Sequence, residues 1–284
     1  MGRPLEPDPG HAGEGMQIVS SQATSVIHSV SQEPNSALIP ALSVDASGFA
    51  YGDDALFGPM VINLEAGKTT GILGPSGIGK STLLRIVAGL VPGISSLTLN
   101  TGLPVSESIA LMGQTDLLFP WLSARDNVLA GFRLRGEAIT TGLRSRAGHL
   151  LAEVGLSDHA GKRPGVLSGG MRQRVALART LAEDRPIVLM DEPFSALDAI
   201  TRIEIGDLAA RMLAGKTVLR ITHAPLEALR LSHTVFVLSG SPAYLTPAGV
   251  PNSQIPRDSS DHHVLMLQAN LLEQLSKARE VERP

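Results

Sequence analysis

From about Ala41 onward the chain alternates short apolar runs with longer amphipathic stretches. The runs fall at residues 61–64, 69–73, 109–112, 187–190, 217–221 and 234–238. Several are continuously apolar rather than alternating, as strands buried on both faces tend to be. Residues 80–90, 141–154, 171–182 and 202–213 separate them with helical character. Strands alternating with helices predict an α/β domain around a largely parallel sheet. Residues 116–163 hold no convincing strand and read as a helical insertion, part of a helical subdomain spanning about 116–180. After Leu238 the chain reads as loop, with Gly240, Pro242, Pro247, Gly249, Pro251 and Pro256. It closes on a helix over about 261–279 carrying Val264, Leu265, Leu267, Leu271, Leu272 and Leu275, a pattern that fits a packed amphipathic helix. Residues 1–39 are rich in Gly, Pro, Ser, Gln and Glu without periodicity and read as a disordered leader in which Met16 is an alternative start. The expected division is a leader 1–39, a domain 40–245 and a C-terminal extension 246–284.

Composition narrows the function. The 284 residues are 43% hydrophobic, enough for a substantial core. A net charge of −3 with 18% charged residues offers no basic surface for nucleic acid. With no cysteine, disulfides, thiolate metal sites and cysteine nucleophiles are excluded. No apolar run approaches the ~20 residues that cross a bilayer, and the N-terminus lacks a secretory pattern, so membrane association is expected only through a partner.

The chemistry begins where the second run ends. Gly74-Pro75-Ser76-Gly77-Ile78-Gly79-Lys80-Ser81, then Thr82, fits the eight-position phosphate-loop pattern between a strand and a helix. Its glycines let backbone amides turn inward to phosphate oxygens, and the helix N-terminus adds its positive end. Lys80 is placed to meet the β- and γ-phosphates, and the Ser81 hydroxyl to ligate Mg²⁺. Such a loop specifies only a nucleotide. Further on, an apolar strand ends in Asp191-Glu192. A carboxylate at that strand end can hold Mg²⁺, which assigns Asp191 to the metal and leaves Glu192 to orient or deprotonate the attacking water. Leu167-Ser168-Gly169-Gly170 then opens a helix at Met171, placing Ser168 and the amides of Gly169 and Gly170 as a second anion-binding feature.

These motifs resemble the ATPase subunits of the ATP-binding cassette superfamily over about residues 41–240. The resemblance implies a P-loop NTPase (RecA-like) α/β core with a parallel sheet, an antiparallel β portion and an inserted α-helical subdomain. It implies ATP and Mg²⁺ as ligands and a head-to-tail pair of copies, in which the signature of one covers the γ-phosphate bound to the other. Four more positions match: Gln114 as a sensor of Mg²⁺ and water, His223 as the switch histidine, Asp198 in the loop crossing the dimer interface, and Tyr51 stacking on adenine. One departs, since Ala224 and Pro225 follow His223 where the family carries Asp.

Leu117-Leu118-Phe119-Pro120-Trp121-Leu122 and Asp126-Asn127-Val128 are similar to importer ATPases for nitrate, sulfonates, taurine and thiamine-precursor pyrimidines. The resemblance there implies integral-membrane permease subunits, a solute-binding protein acting indirectly, and a place at the cytoplasmic face of the inner membrane. Phe119 and Trp121 are then either the permease socket or the core of the insertion. A soluble relative of the cluster-assembly type remains the alternative. An inactive scaffold is disfavoured by Lys80, Asp191 and Glu192.

Overall fold

The computed structural model describes residues 39–46, 49–51, 54–91, 97–101 and 104–281. Its strands are β1 (Leu42–Asp45), β2 (Ala50–Tyr51), β3 (Asp54–Ala55), β4 (Val61–Leu64), β5 (Thr69–Leu73), β6 (Leu97–Leu99), β7 (Ile109–Met112), β8 (Ile187–Asp191), β9 (Thr217–Ile221), β10 (Thr234–Ser239) and β11 (Tyr244–Ala248). Its helices are α1 (Lys80–Val87), α2 (Val105–Ser108), α3 (Ala124–Val128), α4 (Ala130–Leu134), α5 (Thr141–Glu153), α6 (Gly169–Ala182), α7 (Ala199–Met212), α8 (Pro225–Leu231) and α9 (His262–Val281).

The continuously apolar runs become the central sheet, whose six strands lie in the order β11-β10-β5-β9-β8-β7. Every pairing from β10 to β7 is parallel, and only β11 runs antiparallel. Strands β5, β8 and β9 are buried at every position, as expected of strands covered on both faces. One cluster of buried side chains joins β8 to α3, α5, α6 and α7, and a second joins β5, β8 and β9 to α1 and the first sheet. That first sheet is antiparallel, in the order β4-β1-β6. Since the strands are parallel, the carboxyl ends of β5, β7, β8 and β9 share one edge, where ligands of open α/β sheets bind.

Three expectations are corrected. The segment after Leu238 is not all loop: β11 pairs with β10 over five residues, Tyr244 to Ala248. Its side chains are mostly exposed and it contains Pro247, which a sheet tolerates at an edge, so no apolar periodicity marked it. A boundary at 245/246 therefore falls inside a strand. On α9, Val264 and Leu271 are buried, whereas Leu265 and Leu272 of the expected apolar stripe face outward. Strand β1 also lay outside the apolar runs, because Ser43 and Asp45 alternate with buried Leu42 and Val44. The leader falls, except for Ile39, outside the described residues; by Pro40 the chain is already tied in, its carbonyl accepting the Thr217 hydroxyl at 2.6 Å.

Candidate active site

The phosphate loop spans the six residues between β5 and α1. Gly77 and Gly79 adopt φ of 91° and 99°, left-handed values where a side chain would be strained. Gly74 is fixed for a different reason, since a Cβ there would lie 2.6 Å from the Leu238 carbonyl oxygen. The Lys80 ammonium donates to the carbonyls of Gly74 at 2.9 Å and Pro75 at 2.6 Å, which seats a buried cation inside the loop. The first turn of α1 carries no acidic residue, so its positive end is left to an incoming anion.

Asp191 ends β8 and is paired in register with Ile221 of β9. Burial pushes its carboxyl above the usual range, opposed by a hydrogen bond from Ser81 and by the charge of Lys80. Its Oδ1 is buried without a hydrogen-bond partner. A desolvated carboxylate oxygen beside a serine hydroxyl at the head of a phosphate loop fits Mg²⁺, an ion usually held by one or two protein oxygens together with substrate phosphates.

The next residue turns away. Glu192 has φ of 46°, a left-handed backbone that costs a non-glycine residue about 1–3 kcal/mol. Its N–H donates to the Ile221 carbonyl at 2.9 Å. The turn carries its carboxylate to two partners from other strand ends. Gln114, beyond β7, donates Nε2 to Glu192 Oε2 at 3.2 Å, and His223 Nδ1, beyond β9, lies 3.2 Å from the same oxygen. All three predicted catalytic residues thus meet at one carboxylate oxygen, which is an arrangement suited to holding a water between a base and a phosphate.

Ser168 caps α6, its hydroxyl accepting from Met171 N–H at 3.2 Å, and is itself exposed. Asp198 caps α7 by accepting from Thr201 N–H at 3.0 Å, and that backbone bond holds its carboxyl below the usual range. The two caps are neighbours: a Cβ on Gly170 would come within 3.1 Å of Leu197. Ser168, Asp198 and Ile200 are exposed, and Gly169 and Gly170 are half-buried. Tyr51 ends β2, and its side chain falls outside the described residues.

Several residues that spacing did not mark connect these parts. Buried Gln173 accepts from Ala196 N–H at 2.9 Å and donates to the Glu192 carbonyl at 3.3 Å, so α6 is wired to the loop after Glu192. Arg172 pairs with Asp116 at 2.8 Å while donating to the Leu167 carbonyl at 3.0 Å. Arg179 donates to the carbonyls of Asp116 at 2.7 Å and Leu117 at 2.8 Å. Both arginines tie α6 to the segment following Gln114. Within that segment, fully buried Asn127 accepts from Phe119 N–H and donates to the carbonyls of Phe119, Leu122 and Ser123. Nothing in the sequence marks Gln173 and Asn127, since both stand in helices that carry several other polar side chains.

The turn so tied presents Trp121, 65% exposed, with the Phe119 ring packed against it at 5.5 Å between centroids and tilted by 45°. Beside it lies a groove of about 430 Å³ lined by Leu111, Leu117, Phe119, Leu134, Arg179 and Glu183. Leu117 and Leu134 are also largely exposed there.

Residues 57–195 match the family model described as ABC transporter. An uncharacterized ABC transporter ATP-binding protein of Haemophilus influenzae is 40% identical over 233 residues, covering 80% of this chain and 95% of its own length. The aliphatic sulfonates import ATP-binding protein SsuB 1 of Rhodococcus jostii is 39% identical, covering 81% of this chain and 91% of its own. The taurine import ATP-binding protein TauB of Jannaschia sp. is 44% identical over 187 residues, covering 64% of this chain and 69% of its own. Among solved structures, the dimeric post-hydrolysis state of the ATP-binding cassette MJ0796 bound to ADP and Pi aligns with a TM-score of 0.62 and 28% identity, covering 77% of this chain and 99% of that one.

Proposed function

Because the chain belongs to the ABC transporter ATP-binding family, and is an ATPase with the P-loop NTPase fold, we propose that it drives solute import as one half of an ATP-clasped pair beneath a separate permease. The observation that carries this reading is the meeting of Gln114 and His223 on Glu192 Oε2, one residue past the buried Asp191. ATP enters the loop with its β- and γ-phosphates on Lys80 and the amides of residues 74–82. Ser81 and Asp191 hold the Mg²⁺, which when bound neutralises charge on the phosphate oxygens. Glu192 takes the proton of the attacking water, Gln114 holds that water, and His223 meets the γ-phosphate. Tyr51 stacks on the adenine. Ser168, Gly169, Gly170 and Asp198 complete the site of a second copy, a reading that the exposure of Ser168 and Asp198 and the nearness of Gly170 to Leu197 support.

Import rather than a soluble role is supported by exposed Trp121, Leu117 and Leu134 beside a groove lined by apolar side chains and by Arg135, Arg179, Glu183 and Arg185, a surface suited to a partner's helix. None of the described helices is long and apolar enough to cross a membrane, so attachment to the cytoplasmic face runs through the permease. The relatives named for aliphatic sulfonate and taurine import support an organosulfonate or similar small anion as solute, delivered by a solute-binding protein that acts on the permease.

Glu192→Gln tests the reading. The variant should bind ATP and accumulate as an ATP-loaded dimer, because the base is lost while Asp191 keeps the metal. Light scattering with and without Mg-ATP reads the outcome. A variant that hydrolyses ATP at the native rate, or stays monomeric at high protein concentration with ATP, overturns it.

A further inference from the structure

Helix α8 opens two residues after His223, and that end is lightly held. Its N-cap, Ala224, has no side-chain oxygen to take up an orphan amide of the first turn, the service that Ser, Thr, Asp or Asn performs there. The far end is different. The last carbonyls of a helix find no partner within it, and a cation among them is favoured by the helix dipole. Here one residue of the C-terminal extension takes the carbonyls of Leu229, Arg230 and Ser232. Arg257 Nη1 donates to the Leu229 carbonyl and, at 2.7 Å, to that of Ser232, and the Arg257 N–H donates to the Arg230 carbonyl at 2.9 Å. Its Nη2 and Nε donate to the carbonyls of Pro251 at 2.6 Å and Ser253 at 3.1 Å, so the same guanidinium shapes the loop that delivers it.

Arg230 returns the bond and carries it to a third element. Its Nε donates to the Arg257 carbonyl at 2.8 Å, and its Nη2 to both carboxylate oxygens of Asp207, at 2.8 and 3.0 Å. Both arginines are buried, where a charge is costly unless it is hydrogen-bonded or paired. Asp207 stands on α7, the helix that Asp198 caps. Helices α7 and α8 thus start at Asp198 and just past His223, and Asp207, Arg230 and Arg257 bind them together further along. The extension also covers α8, since Val264 and Leu271 of α9 share a buried cluster with Ala228 and Leu229. With seven residues α8 is about 10 Å long, short and stiff enough that fixing one end places the other.

We propose that Arg257 is a positioning residue of the ATPase: with Arg230 and Asp207 it fixes α8 against α7 and so holds His223 at the γ-phosphate. The inference rests on the role given to His223 above. In the full-length chain Arg257→Ala should lower kcat for ATP about tenfold, since a small misplacement of a group at the reacting phosphate is enough for that. A non-hydrolysable ATP analogue should bind about fivefold more weakly, part of what one hydrogen bond to a charged group contributes. ADP, which lacks the γ-phosphate, should keep its dissociation constant. Added ethylguanidinium, which refills the vacated space and its carbonyls, should restore most of kcat, and ethylammonium should not. An arginine that merely stabilised the fold would lower the melting temperature and leave ATP and ADP affected alike. Asp207→Asn, nearly isosteric, gives the same reading if the alanine variant does not fold: kcat down, the ATP analogue weakened, ADP held. Unchanged kcat, parallel loss of ATP-analogue and ADP affinity, or no rescue of Arg257→Ala by ethylguanidinium overturns the proposal. His223→Ala measured alongside separates the two layers: full activity there removes the histidine's role itself, whereas loss there with native behaviour in Arg257→Ala and Asp207→Asn removes only the positioning cluster.

Discussion

Lys80 donates to the Gly74 and Pro75 carbonyls before any phosphate arrives, so the loop is closed around a cation held by its own backbone. An incoming triphosphate exchanges those neutral acceptors for charged oxygens, and charge-assisted bonds of this kind are worth about 1.5–3 kcal/mol each. Lys80→Ala should therefore weaken binding of a labelled ATP analogue by at least about tenfold in equilibrium titration; near-native affinity would remove the loop from the nucleotide site. The loop and the Asp191-Glu192 pair were legible in the sequence because their residues are contiguous and their spacing is set by backbone geometry. The meeting of Gln114 with Glu192, 78 positions apart, was not legible from spacing and entered only through family resemblance.

At the scale of elements, the segment after Gln114 is held by one side chain more than by any helix. Helix α3 is five residues long and capped by Ser123, whose hydroxyl accepts from Asp126 N–H at 3.1 Å and donates to its carboxylate at 2.6 Å. Asn127 then satisfies four backbone partners in the turn before it, from Phe119 to Ser123. Asn127→Ala would strand those groups and leave a small void, at about 1 kcal/mol for each unmade bond. A loss of about 3 kcal/mol in chemical denaturation is expected, together with faster proteolysis within residues 117–123. A change below about 1 kcal/mol would mean that the turn is held from elsewhere. The run Phe119 to Asn127 was singled out in the sequence for its aromatics, while the asparagine's role depends on a fold-back that no periodicity records. Strands buried on both faces were read almost to the residue, as β5, β8 and β9 illustrate, and the apolar runs of half-exposed β4 and β7 were read as closely. The strands missed were central β1, whose Ser43 and Asp45 interrupt its apolar positions, and edge strand β11, whose side chains are mostly exposed.

For the whole molecule, the open question is what the helical subdomain is for, and Trp121 decides it. Both a core and a socket reading were consistent with the sequence. In the fold Trp121 is 65% exposed, packed against a half-buried Phe119, with Leu117 and Leu134 also exposed, which removes the core reading. The turn that presents it is fixed to α6 by Arg172 and Arg179, and α6 is joined through Gln173 to the Glu192 loop. A push on Trp121 is thus connected by hydrogen bonds and an ion pair to the backbone carbonyl of Glu192, the proposed base, and to the carbonyl of Leu167 beside Ser168. Truncating a buried tryptophan costs about 3–5 kcal/mol, whereas an exposed one is worth about 0.5 kcal/mol or less to the isolated fold. At about 2–4 °C per kcal/mol for a domain near this size, Trp121→Ala should leave the melting temperature within about 2 °C of native. Its ATP affinity should likewise be unchanged. Co-purification with a co-expressed permease should fall sharply, since a central aromatic anchor typically contributes about 2 kcal/mol or more to an interface. In reconstituted vesicles the same variant should hydrolyse ATP without moving solute. A melting temperature lowered by about 8 °C or more, with permease capture intact, would return Trp121 to the core and leave the groove beside it without a partner.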